Sequence, residues 1–174
     1  MKIIVNKFLA IKRIALEFCE DAAKNGVLYV EARFSPHLMG KDEVKAEHVV
    51  KTVCDAFKEA EGIYGVKARA ILCCIIGLPP EIAEEVLELC QRFKDEGVVG
   101  IDIAGDEASI VGEMYNDREK QVFSEARRLG IHRTIHAGED GPSEHVTSAL
   151  GNLLIIIPKI QIHFCVLLIS FGII

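Results

Sequence analysis

The stretch His136-Ala137-Gly138-Glu139 sets an imidazole, two small residues and a carboxylate within four positions. Small residues let a ligand approach, and a His near a Glu is the pairing with which zinc hydrolases hold a metal and move protons. The spacing is neither that of a helical His-Glu-x-x-His site nor that of a zinc finger. Read alone, a single His at the end of a strand is more often a hydrogen-bonded structural residue than a ligand.

Two further segments carry polar groups of the same kind. In Ile101-Asp102-Ile103-Ala104-Gly105-Asp106-Glu107, an apolar strand delivers a glycine and two acids to a loop. Gly105 would let backbone come close to a ligand, or the loop would be a tight turn that caps the next segment. Asp102 lies inside the apolar run and needs a partner, for which Arg33 is the candidate. In Val30-Glu31-Ala32-Arg33-Phe34-Ser35-Pro36-His37, alternation puts Glu31 and Arg33 on one face, as a structural pair. His37, just past a Ser-Pro turn, is expected to bond backbone. His48, His132, His145 and His163 receive no site role, His145 and His163 because they have no carboxylate arrangement around them.

The elements that must position these groups are set by periodicity. Phe8, Leu9, Ile11, Ile14, Ala15, Phe18 and Ala22 recur at helical spacing and stop at Asn25-Gly26. Apolar runs at residues 27–34, 66–76, 98–104 and 131–136 read as strands. Between them, helices are expected from Asp42, as cap, to about residue 61, over 81–94 behind Pro80, and over 116–129. This alternation implies parallel strands joined by right-handed crossovers. No Gly-x-Gly-x-x-Gly comes after the first strand, and the polar residues gather at strand ends, where α/β barrels build their sites. The expected fold class is therefore α/β, a partial TIM-type (β/α)8 barrel, since 174 residues are few for a whole one.

With 50% hydrophobic and 26% charged residues the composition is globular, and a formal net charge of −6 argues against binding a nucleic-acid polymer. Cys19, Cys54, Cys73, Cys74, Cys90 and Cys165 lie in apolar segments without a regular pattern, which favours reduced thiols and a cytoplasmic setting. Cys73 and Cys74, adjacent in a strand, face opposite ways and do not serve one metal.

VLYVEARFSPHL, VKARAILCC, GIDIAGDE and IHRTIHAGE, in this order, resemble the adenosine deaminase family from about Ala10 to Glu144. The resemblance implies a zinc-dependent (β/α)8 hydrolase that converts adenosine or deoxyadenosine to inosine and ammonia. It implies that His136 is a metal ligand, Glu139 the catalytic proton donor to the purine ring, and Gly105 a backbone contact to the substrate. The four strands then correspond to the second through fifth of eight. The family's His-x-His, its Gly-His-Gly histidine and its Asp-Asp pair have no counterpart in this sequence. One Zn2+ ligand is thus present where a catalytic site needs three or more, and little or no activity is expected of this chain alone.

Two other functions remain open: a non-catalytic partner subunit associating through exposed sheet edges, and a deaminase of a nucleotide or N6-modified adenosine. The family-like part is expected over residues 1–146. Residues 147–174 form an apolar tail without the resemblance, read as intron translation, a misplaced gene end or an alternative terminus. Pro158, Lys159, Gln161 and His163 interrupt it, so no membrane span is favoured.

Overall fold

Four parallel strands, in the order β1-β2-β3-β4, form the sheet of the computed structural model, which describes residues 2–41, 44–110 and 112–154. They are β1 (Tyr29–Phe34), β2 (Lys67–Ile75), β3 (Val98–Ala104) and β4 (His132–Arg133). Register aligns Arg33 with Ile71 and Cys73 with Asp102. Side chains alternate, so Ala70, Leu72, Cys74, Ile101 and Ile103 join the apolar core, while Arg33, Cys73 and Asp102 share the other face.

Helices cover the apolar face. The helix α1 (Lys2–Lys24) buries Ile11, Ala15 and Cys19 and packs on α3 (Ala46–Tyr64), which presents Val49, Val50, Val53, Phe57 and Ala60. Next, α4 (Pro80–Arg92) has Pro at its first turn, where a missing N–H costs nothing, and packs on β2 and β3. Asn116 and Glu119 close a reciprocal capping box at the start of α5 (Asp117–Arg128). From α5, Val122, Phe123 and Ala126 turn into the core. Burying a side chain such as Phe123 or Leu72, both 0% exposed, contributes about 1.5–3 kcal/mol.

The expected elements exist, with four differences. Ser35-Pro36 starts a short helix, α2 (Pro36–Gly40), rather than only a turn, because the Ser35 hydroxyl accepts from the Leu38 N–H at 3.4 Å. The next helix begins at Ala46 behind Lys45, and the expected cap, Asp42, lies outside the described residues. Leu9 is exposed rather than part of the buried face of α1. As a strand β4 is two residues long, yet its ladder runs on: the N–H groups of Thr134 and His136 donate to Ile101 O at 2.9 Å and Ile103 O at 3.0 Å. Past it come α6 (Ser143–Ser148) and an irregular helical turn to residue 154; most of the apolar tail, with Cys165, lies outside the described residues. Among the described residues no helix is long and apolar enough to cross a membrane.

Candidate active site

Strand ends bring the polar residues together. Asp102, 0% exposed, lies in β3 between β2 and the β4 ladder. Its Oδ2 stands 3.2 Å from Nη1 of Arg33 and 3.0 Å from Nδ1 of His136, with the Cys73 thiol at 3.9 Å. Arg33 Nη1 in turn lies 2.7 Å from Nε2 of His136. One proton arrangement satisfies both contacts: Nδ1–H donates to Asp102 and the Nε2 lone pair accepts from Arg33. The Asp102 hydrogen bond raises the His136 pKa, against burial and the Arg33 charge, which lower it. Arg33 therefore pairs with Asp102, while Glu31 accepts the Tyr29 hydroxyl at 2.6 Å. Among the described residues, the Oδ1 of Asp102 and the Oγ1 of Thr134 are buried without a hydrogen-bond partner.

The loop after the β4 ladder is held from three sides. Tyr115, fully buried, donates its hydroxyl to His136 O at 3.1 Å. Glu107, on the loop after β3 and 6% exposed, accepts the N–H groups of Gly138 at 2.7 Å, Glu139 at 2.8 Å and Asp140 at 3.1 Å. Nδ1 of His145 lies 2.8 Å from the same carboxylate. Successive amides converging on an anion form a nest, here filled by the protein's own side chain. Burial raises the Glu107 pKa, but the amides of Gly138, Asp140 and Glu139 with the His145 ring outweigh it and bring it to about 2.

Two glycines make room for this clamp. Gly138 has φ +75°, and a Cβ there would sit 2.6 Å from Val146 Cγ2. A Cβ on Gly141 would sit 2.6 Å from the Glu107 carboxyl carbon and 2.5 Å from His145 Nδ1.

The three residues singled out for chemistry all lie at the C-terminal ends of β3 and the β4 ladder. Glu139 is exposed on the clamped loop, and Gly105 is exposed just past β3. Gly105 also has a packing reason to be glycine, since a Cβ would meet Ile76 Cβ at 2.8 Å. His136 has both ring nitrogens engaged, by Asp102 and Arg33. Among the described residues no group of three or more His, Cys, Asp or Glu is placed to hold a metal ion. By themselves these residues do not fit a zinc centre.

The sequence model of the adenosine deaminase family matches residues 2–155. The chain belongs to the adenosine deaminase family. It is 44% identical over 162 residues to an adenosine deaminase of Danio rerio, an alignment covering 86% of this chain and 44% of that protein. This adenosine deaminase family member thus spans less than half the length of such a relative. An adenine deaminase from Arthrobacter aurescens superposes with a TM-score of 0.70 at 26% identity, covering 83% of this chain and 42% of that one. An amidohydrolase from Burkholderia ambifaria, solved with bound Zn, superposes with a TM-score of 0.73 at 24% identity over 83% and 39% of the two chains, a likeness of fold. The four-stranded sheet is accordingly part of a deaminase barrel.

Three expectations about polar residues need correction. His145 does face a carboxylate, Glu107, brought to it across 38 positions by the packing of two loops. Glu107, read only as a loop or capping acid, is the hub of that packing. His37 points Nε2 at the Glu85 carboxylate, 3.0 Å away on α4, instead of a backbone group. No short-range pattern in the sequence signals the meeting of Glu107 and His145, which lie 38 positions apart.

Proposed function

We propose that this chain supplies part of the rim of a purine nucleoside deaminase site, with adenosine or deoxyadenosine hydrolysed to inosine and ammonia. The observation that carries the reading is the juxtaposition of Gly105, His136 and the clamped Glu139 at adjacent strand ends in a member of this family. The reaction adds water to the purine carbon bearing the amine. Oxygen bonds to that carbon, a proton passes through Glu139 to the adjacent ring nitrogen, and loss of ammonia leaves the ring carbonyl. Gly105 offers backbone to the purine. Family membership supports Zn2+ as the cofactor, with His136 as the one ligand from this chain. The other ligands would come from outside the described residues.

On this reading the chain alone turns over little or no adenosine, because no group of three or more metal-binding side chains is placed together among the described residues. A chimera in which residues 2–155 replace the matching segment of a complete family member tests the assignment. Inosine formation that falls by about 10²–10⁴ in Glu139→Gln supports it. Failure on adenosine with turnover of AMP or N6-methyladenosine would move the substrate to the nucleotide or modified-base alternative. A chimera inert to all of them, though folded, would overturn the reading.

A second reading, that the chain is a non-catalytic partner joined through its sheet edges, is favoured by one feature. β1 is an edge strand among the described residues, and Leu28 (79%) and Tyr29 (51%) at its start are exposed. Light scattering showing only a monomer would reject it. The cytoplasm is the proposed location, on the five free buried thiols of the described residues. A fluorescent fusion found in a secretory compartment would reject that.

A further inference from the structure

We propose that Glu107 is the positioning residue of this site: it does not touch substrate but sets the backbone from which Glu139 reaches the purine. The proposal deepens the deaminase reading and takes its functional meaning from it.

Four donors converge on one carboxylate, and three of them are the consecutive N–H groups of Gly138, Glu139 and Asp140 at 2.7, 2.8 and 3.1 Å. The Glu139 amide is the middle one, so the main chain at Glu139 is fixed while its side chain stays exposed to accept a ligand. His145 reaches the carboxylate oxygen that also accepts from Gly138, at 2.8 Å, and Gly141 has no Cβ to push it away. Glu107 itself is carried on a short 3-10 turn, Glu107–Ser109, tied by the Ser109 hydroxyl donating to Asp106 O at 2.9 Å. Charge-assisted bonds from a carboxylate to backbone N–H groups are short and strong, and a proton donor must be placed to within about half an ångström to act well. No other side chain among the hydrogen bonds of the described loop reaches the amides of 138–140.

The test is nuclear magnetic resonance of the 15N-labelled 174-residue chain, in wild type, Glu107→Gln and His145→Ala. In wild type the amides of Gly138, Glu139 and Asp140 are expected to show order parameters of about 0.85 and slowed exchange. In Glu107→Gln those three amides should drop below about 0.6 and exchange at least about tenfold faster, while the His136 amide, held by Ile103 O, keeps its protection. His145→Ala should give a smaller change at the same three amides. A wild-type loop already below about 0.6 overturns the proposal without any variant. Unchanged protection in Glu107→Gln, or equal loss through β2 and β3, overturns it too, the latter by showing a purely structural role. None of these readings uses substrate. A chimera inert to every purine would sink the deaminase reading and leave the loop measurement standing, and the converse result would do the opposite.

Discussion

The Asp102 carboxylate lies 3.0 Å from Nδ1 of His136, and this contact decides which ring nitrogen keeps its lone pair. With Nδ1–H pointing at Asp102, Nε2 is the acceptor, the form a metal-binding imidazole requires. Arg33 takes that lone pair in this structure. The same carboxylate therefore orients the ring and neutralises the guanidinium beside it.

Removing that carboxylate leaves Arg33 partly buried without its counter-charge. Asp102→Ala is expected to destabilise the chain by about 3–5 kcal/mol, the usual result of deleting one member of a buried pair. Asp102→Asn should be milder, because its amide oxygen can still accept from Nδ1–H while the counter-charge of Arg33 is lost. Urea midpoints measure the stability, and the ring 15N shifts of His136 in Asp102→Ala read the tautomer. An unchanged pattern of ring shifts in Asp102→Ala would show that Asp102 does not set the tautomer.

Gly141 bears on the clamp by its emptiness. A methyl group there meets the Glu107 carboxyl carbon at 2.6 Å, so Gly141→Ala must displace either the acid or the loop. The expected loss is about 1–3 kcal/mol, the range of overpacking, confined to the loop amides. Gly112→Ala, where φ is +95° but no atom of the described residues lies within 4 Å of the added carbon, serves as the control for backbone strain alone. Exchange at residues 138–140 should respond to the first substitution and not the second.

Acid should open the same loop. The folded Glu107 has a pKa of about 2 against an ordinary value of 4.5, so its contribution to stability is complete above about pH 4.5 and is lost as pH falls toward 2. Amide exchange at Gly138 and Glu139, corrected for its intrinsic pH dependence, should accelerate across that window in wild type. In Glu107→Gln the step should vanish. A step of equal size in both proteins would assign it to another carboxylate.

At Gly105 the packing and ligand roles predict different things. Ile76 Cβ would lie 2.8 Å from an added Cβ, so Gly105→Ala is expected to cost about 1–3 kcal/mol of stability. Adding Ile76→Gly, which removes that Cβ, should relieve part of that loss. If the double variant in the chimera recovers stability yet still binds purine poorly, both roles hold; full recovery of both leaves only packing.

Much of this was readable from the chain, for reasons that differ by residue. Asp102 announced itself because a lone carboxylate in an apolar strand needs a partner, and Arg33, near the end of another strand, was the candidate. The strand-helix alternation was clear because parallel strands buried on both faces make long apolar runs. The β4 run was expected at six residues, but only two pair regularly, since its continuation is a sparse pair of hydrogen bonds to β3 rather than a full ladder. Glu107 and His145 were missed because their meeting depends on two loops folding against each other, and no short-range period records that. The same limit hid His37 and Glu85, which sit on α2 and α4.

The Glu107 clamp joins groups 31 to 38 positions apart, across all of α5 and β4. Closing so long a segment costs conformational entropy before any of its bonds forms, and none of them can precede the seating of β4 on β3. The loop bearing Glu139 therefore inherits its order from the strand pairing beneath it. A chain with β4 displaced from β3 would keep Glu107 on its turn but lose the amides that converge on it.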